Sequence, residues 1–414
     1  MKKEAERELF KNVAATPDNP KWENLIHRAG NLVKSETDIR SEFERDYNRI
    51  INSGAYSRLK HKTQVFFATN NDLVCTRIEH VHYVASTSKS IARYMGLNCD
   101  LVEAISHGHD LGHSPFGHHG ERIIVKIMEE EGFQHNFWHE KNSVRFVDHI
   151  ETLPNQMGWS ENLNLTYGVR DGIISHCGEV DENALIPRDD YIDLESIEKG
   201  QYMPYTYEGC VVKISDKIAY LGRDIQDATL YNFFDKDDYA TLKQIAENII
   251  KEKIKLKEIN TTSLMHKFIY DLCINSNPED GLCLSPENYE LMRQIKQFNF
   301  EKICMNKRLM PFLDYATLVI RSLYFFLKDY YDDFNTLSKL AKDEQFYPKT
   351  INYFSNWLVK YSNIDTKLRY QCKYKNGIIY NMEEQMDYYQ AIIDFLSSMT
   401  DNFAISCYEE LITF

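Results

Sequence analysis

Between Ser106 and Glu121 the chain reads Ser-His-Gly-His-Asp-Leu-Gly-His-Ser-Pro-Phe-Gly-His-His-Gly-Glu, five histidines and two carboxylates in sixteen residues punctuated by Gly and Pro. Eleven of the fourteen histidines fall between His80 and His176. Imidazole and carboxylate together bind divalent metals, and imidazole exchanges protons near neutral pH. A chance pile-up of surface or core histidines would not come with matching groups at a distance, yet those groups are present. His80 stands in Arg77-Ile78-Glu79-His80, His109 and Asp110 are adjacent, and Asp216 interrupts the apolar run Val211–Tyr220. Two imidazoles with two carboxylates suit Mn, Fe, Co, Ni or Zn, or Mg at lower affinity, with water in the remaining positions. Such an ion lowers the pKa of bound water and polarises a phosphoryl oxygen, so the chemistry open to these four residues is phosphate-ester hydrolysis.

Helices must position them, because the apolar residues repeat at three and four throughout. Arg40 to Ile51 alternates charged and apolar positions in this way, and Arg77 to Met95 carries Ile78, Val81, Val84, Ala85, Ser88, Ile91 and Ala92 on one stripe before Gly96. Asp100 is expected to cap a helix over Leu101–His107, and Pro115 to break the segment after Asp110. Helices are expected over Glu121–Glu131, His139–Ile150 and Cys210–Ala228, and again from Asp237 to the end, with Thr63–Ala68 a short strand or extended connector. The fold class is therefore all-α. A length of 414 residues allows one large domain or two closely packed ones. The expected arrangement is one globular domain, with residues 1–37 an extension, 38–228 the catalytic core and 229–414 helices packed on it. Residues 178–208 stand apart, with nine acidic residues against Arg188 and Lys199. They read as a solvated surface excursion or as a flap over the site.

A formal net charge of −14 argues against broad nonspecific binding of nucleic acid, though not against a local basic pocket. Nine scattered cysteines with no C-x-x-C pair read as reduced thiols. The charged amino end lacks the apolar core of a signal peptide, and Leu318–Leu327 is interrupted by Arg321 and too short to span a bilayer. A cytoplasmic protein with no membrane partner is expected.

The order His80 … His109-Asp110 … Asp216 resembles the HD phosphohydrolases. A longer pattern is narrower in meaning: Ala55-Tyr56-Ser57-Arg58-Leu59-Lys60-His61-Lys62-Thr63-Gln64, Arg77-Ile78-Glu79-His80, His109 through His118, Glu208-Gly209 into Asp216-Lys217-Ile218-Ala219-Tyr220, and Ser398-Met399-Thr400-Asp401. Together these are similar to the bacterial dGTPase-like deoxynucleoside triphosphate triphosphohydrolases and their animal relatives, the sterile-alpha-motif HD dNTPases. The resemblance implies an HD-domain helical fold with additional C-terminal helices. It implies hydrolysis of a dNTP, dGTP or several of them, at the α-phosphorus to deoxynucleoside and triphosphate.

By the same resemblance His80, His109, Asp110 and Asp216 hold the metal, His118 is the general acid and Glu121 orients it. His113 contacts phosphate, and His139-Glu140 lines the pocket, where many bacterial relatives carry His-Asn. Arg77, Lys217 and Tyr220 contact the triphosphate or sugar, Gln64 and Asp224 the 3′-hydroxyl, and Arg58 is a further basic contact. A protonated imidazole held by a carboxylate suits the strongly basic alkoxide that must leave. The family implies a homo-oligomer and admits a nucleotide effector, though no residue here identifies that site. Two other readings share features of the sequence. One is an HD phosphodiesterase or nucleotidase on another nucleotide. The other is a nucleotide-sensing or single-stranded nucleic-acid-binding module with vestigial chemistry.

Overall fold

The computed structural model describes residues 8–32, 37–66, 73–176, 182–250 and 260–413. The fold is all-α, and the only sheet among the described residues is an antiparallel pair, β1 (Thr152–Pro154) and β2 (Ser160–Asn162). The helices that bear on the site are, in chain order, α1 (Arg77–Met95), α2 (Cys99–Gly108), α3 (Gly117–Glu131), α4 (His139–Arg145), α5 (Tyr167–Ser175), α6 (Tyr207–Leu230), α7 (Thr261–Asn275), α8 (Pro286–Asn299), α9 (Met310–Lys328), α10 (Pro348–Tyr361), α11 (Gln385–Ser398) and α12 (Asp401–Ile412).

The chain forms two compact units whose segments interleave. Unit one draws on Met1–Asn48, Asn71–His109 and Leu165–Met310; unit two on Arg49–Asn70, Asp110–Asn164 and Pro311–Phe414. The partition does not run along the 37/38 and 228/229 boundaries expected from sequence. In unit two, long-range polar bonds join the ends of the chain: Asp401 accepts from the Thr63 N–H at 3.1 Å, and Lys62 Nζ donates to the Ser397 carbonyl at 3.1 Å.

In unit one, α1 and α2 pack on each other and on α6, which also carries α5 and α7. A capping box starts α1, in which the Thr76 N–H donates to Glu79 at 2.8 Å, and Gly96 ends it in the left-handed region at φ 80°. The N-cap of α2 is Asn98 rather than Asp100. Its side-chain oxygen accepts from the N–H groups of Asp100 and Leu101, so the helix begins at Cys99 and Asp100 lies in the first turn, where its charge suits the helix dipole. The stripe Val81, Val84, Ile91 and Ala92 is buried, as are Val211, Val212, Ile218 and Leu221 of α6. Each fully buried aliphatic side chain contributes about 1.5–3 kcal/mol, which lets the same helices carry His80 and Asp216 inward.

In unit two, α3 starts at Gly117, four residues before the expected Glu121, because the break falls at Pro115-Phe116. Phe116 adopts φ 63° with its ring buried, and its N–H donates to Asp401 Oδ1 at 2.9 Å. The expected helix over His139–Ile150 divides into α4 and a single wide turn over Phe146–Ile150. Thr63–Ala68 supplies no strand among its described residues; Gln64 to Phe66 are bends, and residues 67 and 68 lie outside the described set.

The apolar run near residue 320 is longer than Leu318–Leu327. Lys307–Lys328 forms a helical stretch of 22 residues, long and apolar enough to cross a membrane by length and composition, with 28% of its 18-residue apolar window buried. Two of its cations point to protein partners instead, as Arg321 pairs with Glu130 at 2.8 Å and Lys328 with Glu131 at 2.6 Å, both on α3.

Candidate active site

Unit one brings three of the expected metal ligands together. His80, one turn into α1, places Nε2 at 2.8 Å from Asp216 Oδ1 in the middle of α6. His109 follows the last residue of α2, its ring 5.7 Å from that of His80 and edge-on to it. Its Nδ1 lies 2.7 Å from the Ser106 carbonyl oxygen. A carbonyl only accepts, so Nδ1 carries the proton and Nε2 keeps its lone pair, the tautomer a metal ligand needs. His176, which no motif in the sequence singled out, belongs to the same group. It directly follows α5, bonds the Ile173 carbonyl through Nδ1 at 2.6 Å, and sets its ring 4.9 Å from that of His109. Burial works to raise the Asp216 pKa, but the His80 hydrogen bond and the neighbouring imidazoles hold the carboxyl well below its usual range.

Along α6, Asp216, Tyr220 and Asp224 recur every four residues and so share a face. Asp224 shows the opposite titration, as burial and then the negative charges of Asp227 and Asp216 push its pKa well above the usual value against Arg223 and Arg77. Arg77 and Lys217 are both buried, an expensive position for cations that is tolerated when they are matched by anions.

Unit two holds the second cluster. Asp110 Oδ1 lies 3.3 Å from His113 Nε2, and the His113 ring stacks on that of His139 at 3.8 Å. Glu121 Oε2 is 2.9 Å from His139 Nδ1 and 3.8 Å from His118 Nδ1, and Glu140 Oε1 is 3.3 Å from His139 Nε2. The imidazoles and carboxylates therefore alternate, as His118, Glu121, His139 and Glu140. Burial opposes charge on His139, but Glu140, Glu121 and Asp110 raise its pKa to about 9. Burial would likewise raise the Glu121 pKa, yet the nearby His118 ring and the hydrogen bond from His139 hold it far below the usual carboxylate range. The result is a buried carboxylate beside a buried imidazolium, with a third ring turned outward. The His118 side chain is 66% exposed against 8% for Glu121.

Backbone contacts make this cluster rigid. Gly112 donates to Ser143 Oγ at 2.9 Å, and Asn142 Nδ2 donates to the Gly112 carbonyl at 2.6 Å. A Cβ at Gly112 would run into the backbone of Asn142 and Ser143, and one at Gly120 into the Pro115 carbonyl. Lys62 is buried and donates to the His113 carbonyl, so it fixes the histidine loop.

The other expected residues divide. Gln64 is half-buried, with a side-chain oxygen that is buried and finds no hydrogen-bond partner among the described residues. Arg58 donates to Glu151 at 2.6 Å, a pair in which Glu151 is buried. That engagement ties the turn at Gly54–Arg58 to the residue just before β1 and gives Arg58 a structural task. His119 points away from its neighbour His118 and bonds the Leu313 carbonyl at 2.8 Å.

Residues 77–221 match the model of the HD domain, so the fold and the histidine–carboxylate site define this chain as an HD protein. Its relatives are narrower. The chain is 35% identical over 299 residues to a deoxyguanosinetriphosphate triphosphohydrolase-like protein of Caldanaerobacter subterraneus subsp. tengcongensis, an alignment covering 72% of this chain and 76% of that one. Proteins with the same description in Desulfatibacillum aliphaticivorans and Clostridium tetani are 29% and 28% identical, over 90% and 98% of this chain and 88% and 94% of theirs. The chain belongs to the deoxyguanosinetriphosphate triphosphohydrolase-like family.

Proposed function

We propose that the protein is a divalent-metal-dependent dNTP triphosphohydrolase, releasing deoxynucleoside and intact triphosphate. His80, His109 and Asp216 would hold the ion together with Asp110, which the peptide bond ties to His109. The donor set fits, since it combines neutral imidazole with carboxylate and His109 has its Nδ1 proton fixed by a backbone carbonyl. When bound, the ion supplies Lewis-acid stabilisation of charge on the phosphoryl oxygens. Mn and Mg are the first ions to try.

The observation that carries the reading is the alternating His118–Glu121–His139–Glu140 series. Attack of water at the α-phosphorus expels the 5′-oxygen of the deoxynucleoside, a strongly basic leaving group that needs a proton. His118 would donate it, with Glu121 orienting the ring and stabilising its protonated form. The charged His139 keeps Glu121 ionised for that purpose, and His113 contacts phosphate. Arg77, Lys217 and Tyr220 would bind the triphosphate, and Gln64 and Asp224 the sugar 3′-hydroxyl. Asp224 suits that contact because its burial favours a carboxyl able to donate as well as accept. We place this activity in the cytoplasm, in a homo-oligomer.

The test is a panel of the four dNTPs and four NTPs with Mg and Mn, resolving products by chromatography. Deoxynucleoside together with inorganic triphosphate is the expected outcome. Release of inorganic phosphate or pyrophosphate in its place would refute the reaction.

A further inference from the structure

Unit one contains a small pocket walled by α6, α7 and α8. Its lining includes four apolar side chains, Ile214, Leu272, Leu284 and Met292, all buried. The same lining carries three cations, Lys217 from α6 and Arg293 and Lys296 from α8, and the phenols of Tyr220 and Tyr289. The spacing explains the convergence. Ile214, Lys217 and Tyr220 recur every three residues on α6, while Tyr289, Met292, Arg293 and Lys296 follow the three-and-four rhythm of α8. One acid of the wall, Glu182, is exposed.

A cleft with cations of one sign and low-dielectric walls focuses its field and concentrates anions. That matters in a chain whose net charge is −14. Arg293 is held by Glu290 through two bonds of 2.8 Å. The pair is exposed, so it contributes little and can yield to a phosphate, which takes a guanidinium by two charge-assisted bonds. The pocket also begins one residue from Asp216, since Lys217 is the next position on α6.

We propose that Arg293 and Lys296 are substrate-binding residues, which together with Lys217 hold the terminal phosphates of a nucleoside triphosphate at this pocket. The assignment rests on the triphosphohydrolase reading and adds a function to it. α8 measures the length of the phosphate chain, so nucleoside triphosphates are held and monophosphates are not.

The experiment uses the full chain carrying Lys296→Glu, Arg293→Glu, both together, and Lys296→Arg. Reversing the charge at Lys296 raises KM for triphosphate release about tenfold, equivalent to one contact of ~1.4 kcal/mol, and kcat falls by less than KM rises. Inhibition by inorganic tripolyphosphate weakens in parallel, the double variant is weaker still, and Lys296→Arg restores both parameters. A double variant with wild-type KM and wild-type tripolyphosphate inhibition overturns the proposal and leaves the reaction standing. Should the wild-type chain release no triphosphate at all, calorimetry with inorganic tripolyphosphate still decides. Binding lost in the double variant supports the seat, while equal binding in both proteins, or none in either, overturns it.

Discussion

Two groups of histidines in this chain have the same side chains and different partners. In unit one, His109 and His176 each give their Nδ1 proton to a backbone carbonyl, at 2.7 and 2.6 Å. A carbonyl acceptor fixes the ring and its Nδ1 proton, which leaves Nε2 as the ligand atom. In unit two, His139 lies against two carboxylates, Glu121 and Glu140, and its pKa climbs to about 9. His118 has Glu121 as its nearest acid. Under the proposed function the carbonyl-held His109 is a metal ligand and the carboxylate-flanked His118 is the proton donor. The difference teaches that the role of a histidine here is set by the group behind it, and each prediction below tests that division.

Removing the metal should have the largest effect. Dialysis against a chelator is expected to abolish triphosphate release and Mn to restore it, with circular dichroism showing the helices intact throughout. Replacing His118 by Ala comes next. A positioned general acid contributes about 10²–10⁴-fold, so kcat should drop within that range while metal content stays at the wild-type level.

Gly112→Ala tests the scaffold of the proton cluster. Its Cβ would meet the backbone of Asn142 and Ser143, which cannot move aside as a side-chain tip can. Overpacking of this kind costs about 1–3 kcal/mol, and thermal denaturation should show a corresponding fall in Tm. A wild-type Tm would mean the loop and α4 are less tightly joined than Gly112 implies.

The smallest effect is a shift in pH dependence. His139 is a base whose pKa is raised on folding, so its stabilising contribution is complete below the unfolded value of about 6.5 and is lost as pH rises through about 9. Glu140→Gln removes the largest of the charges that raise it. The alkaline limb of stability and of kcat should then move to lower pH, readable from denaturation midpoints and initial rates across pH 6–10, with the acid limb unchanged.

Much of the site was legible because its residues are dense in sequence. His80, His109 and Asp216 meet as their types suggested, and His113, His118, Glu121, His139 and Glu140 form one cluster. What could not be read are residues whose role depends on distant chain. His176 stands alone at the end of α5, and nothing near it in sequence marks it as a neighbour of His109. Nothing near Lys62 in sequence marks Ser397, 335 residues away, as the carbonyl that accepts from it. The interleaving of the two units has the same origin, since bonds such as Thr63 to Asp401 leave no local pattern. Asp100 and Asn98 show a narrower failure. Both are good caps two residues apart, and only the backbone turn decides between them.

The division between the two histidine groups is tested most directly by one paired measurement, metal content and triphosphate release in His109→Gln and His118→Gln. Plasma mass spectrometry should find the ion lost from the first protein and retained at wild-type stoichiometry in the second, with triphosphate release abolished in one and strongly reduced in the other. Metal retained in His109→Gln, or lost from His118→Gln, would show that the partners behind these rings do not sort them into ligands and proton donors.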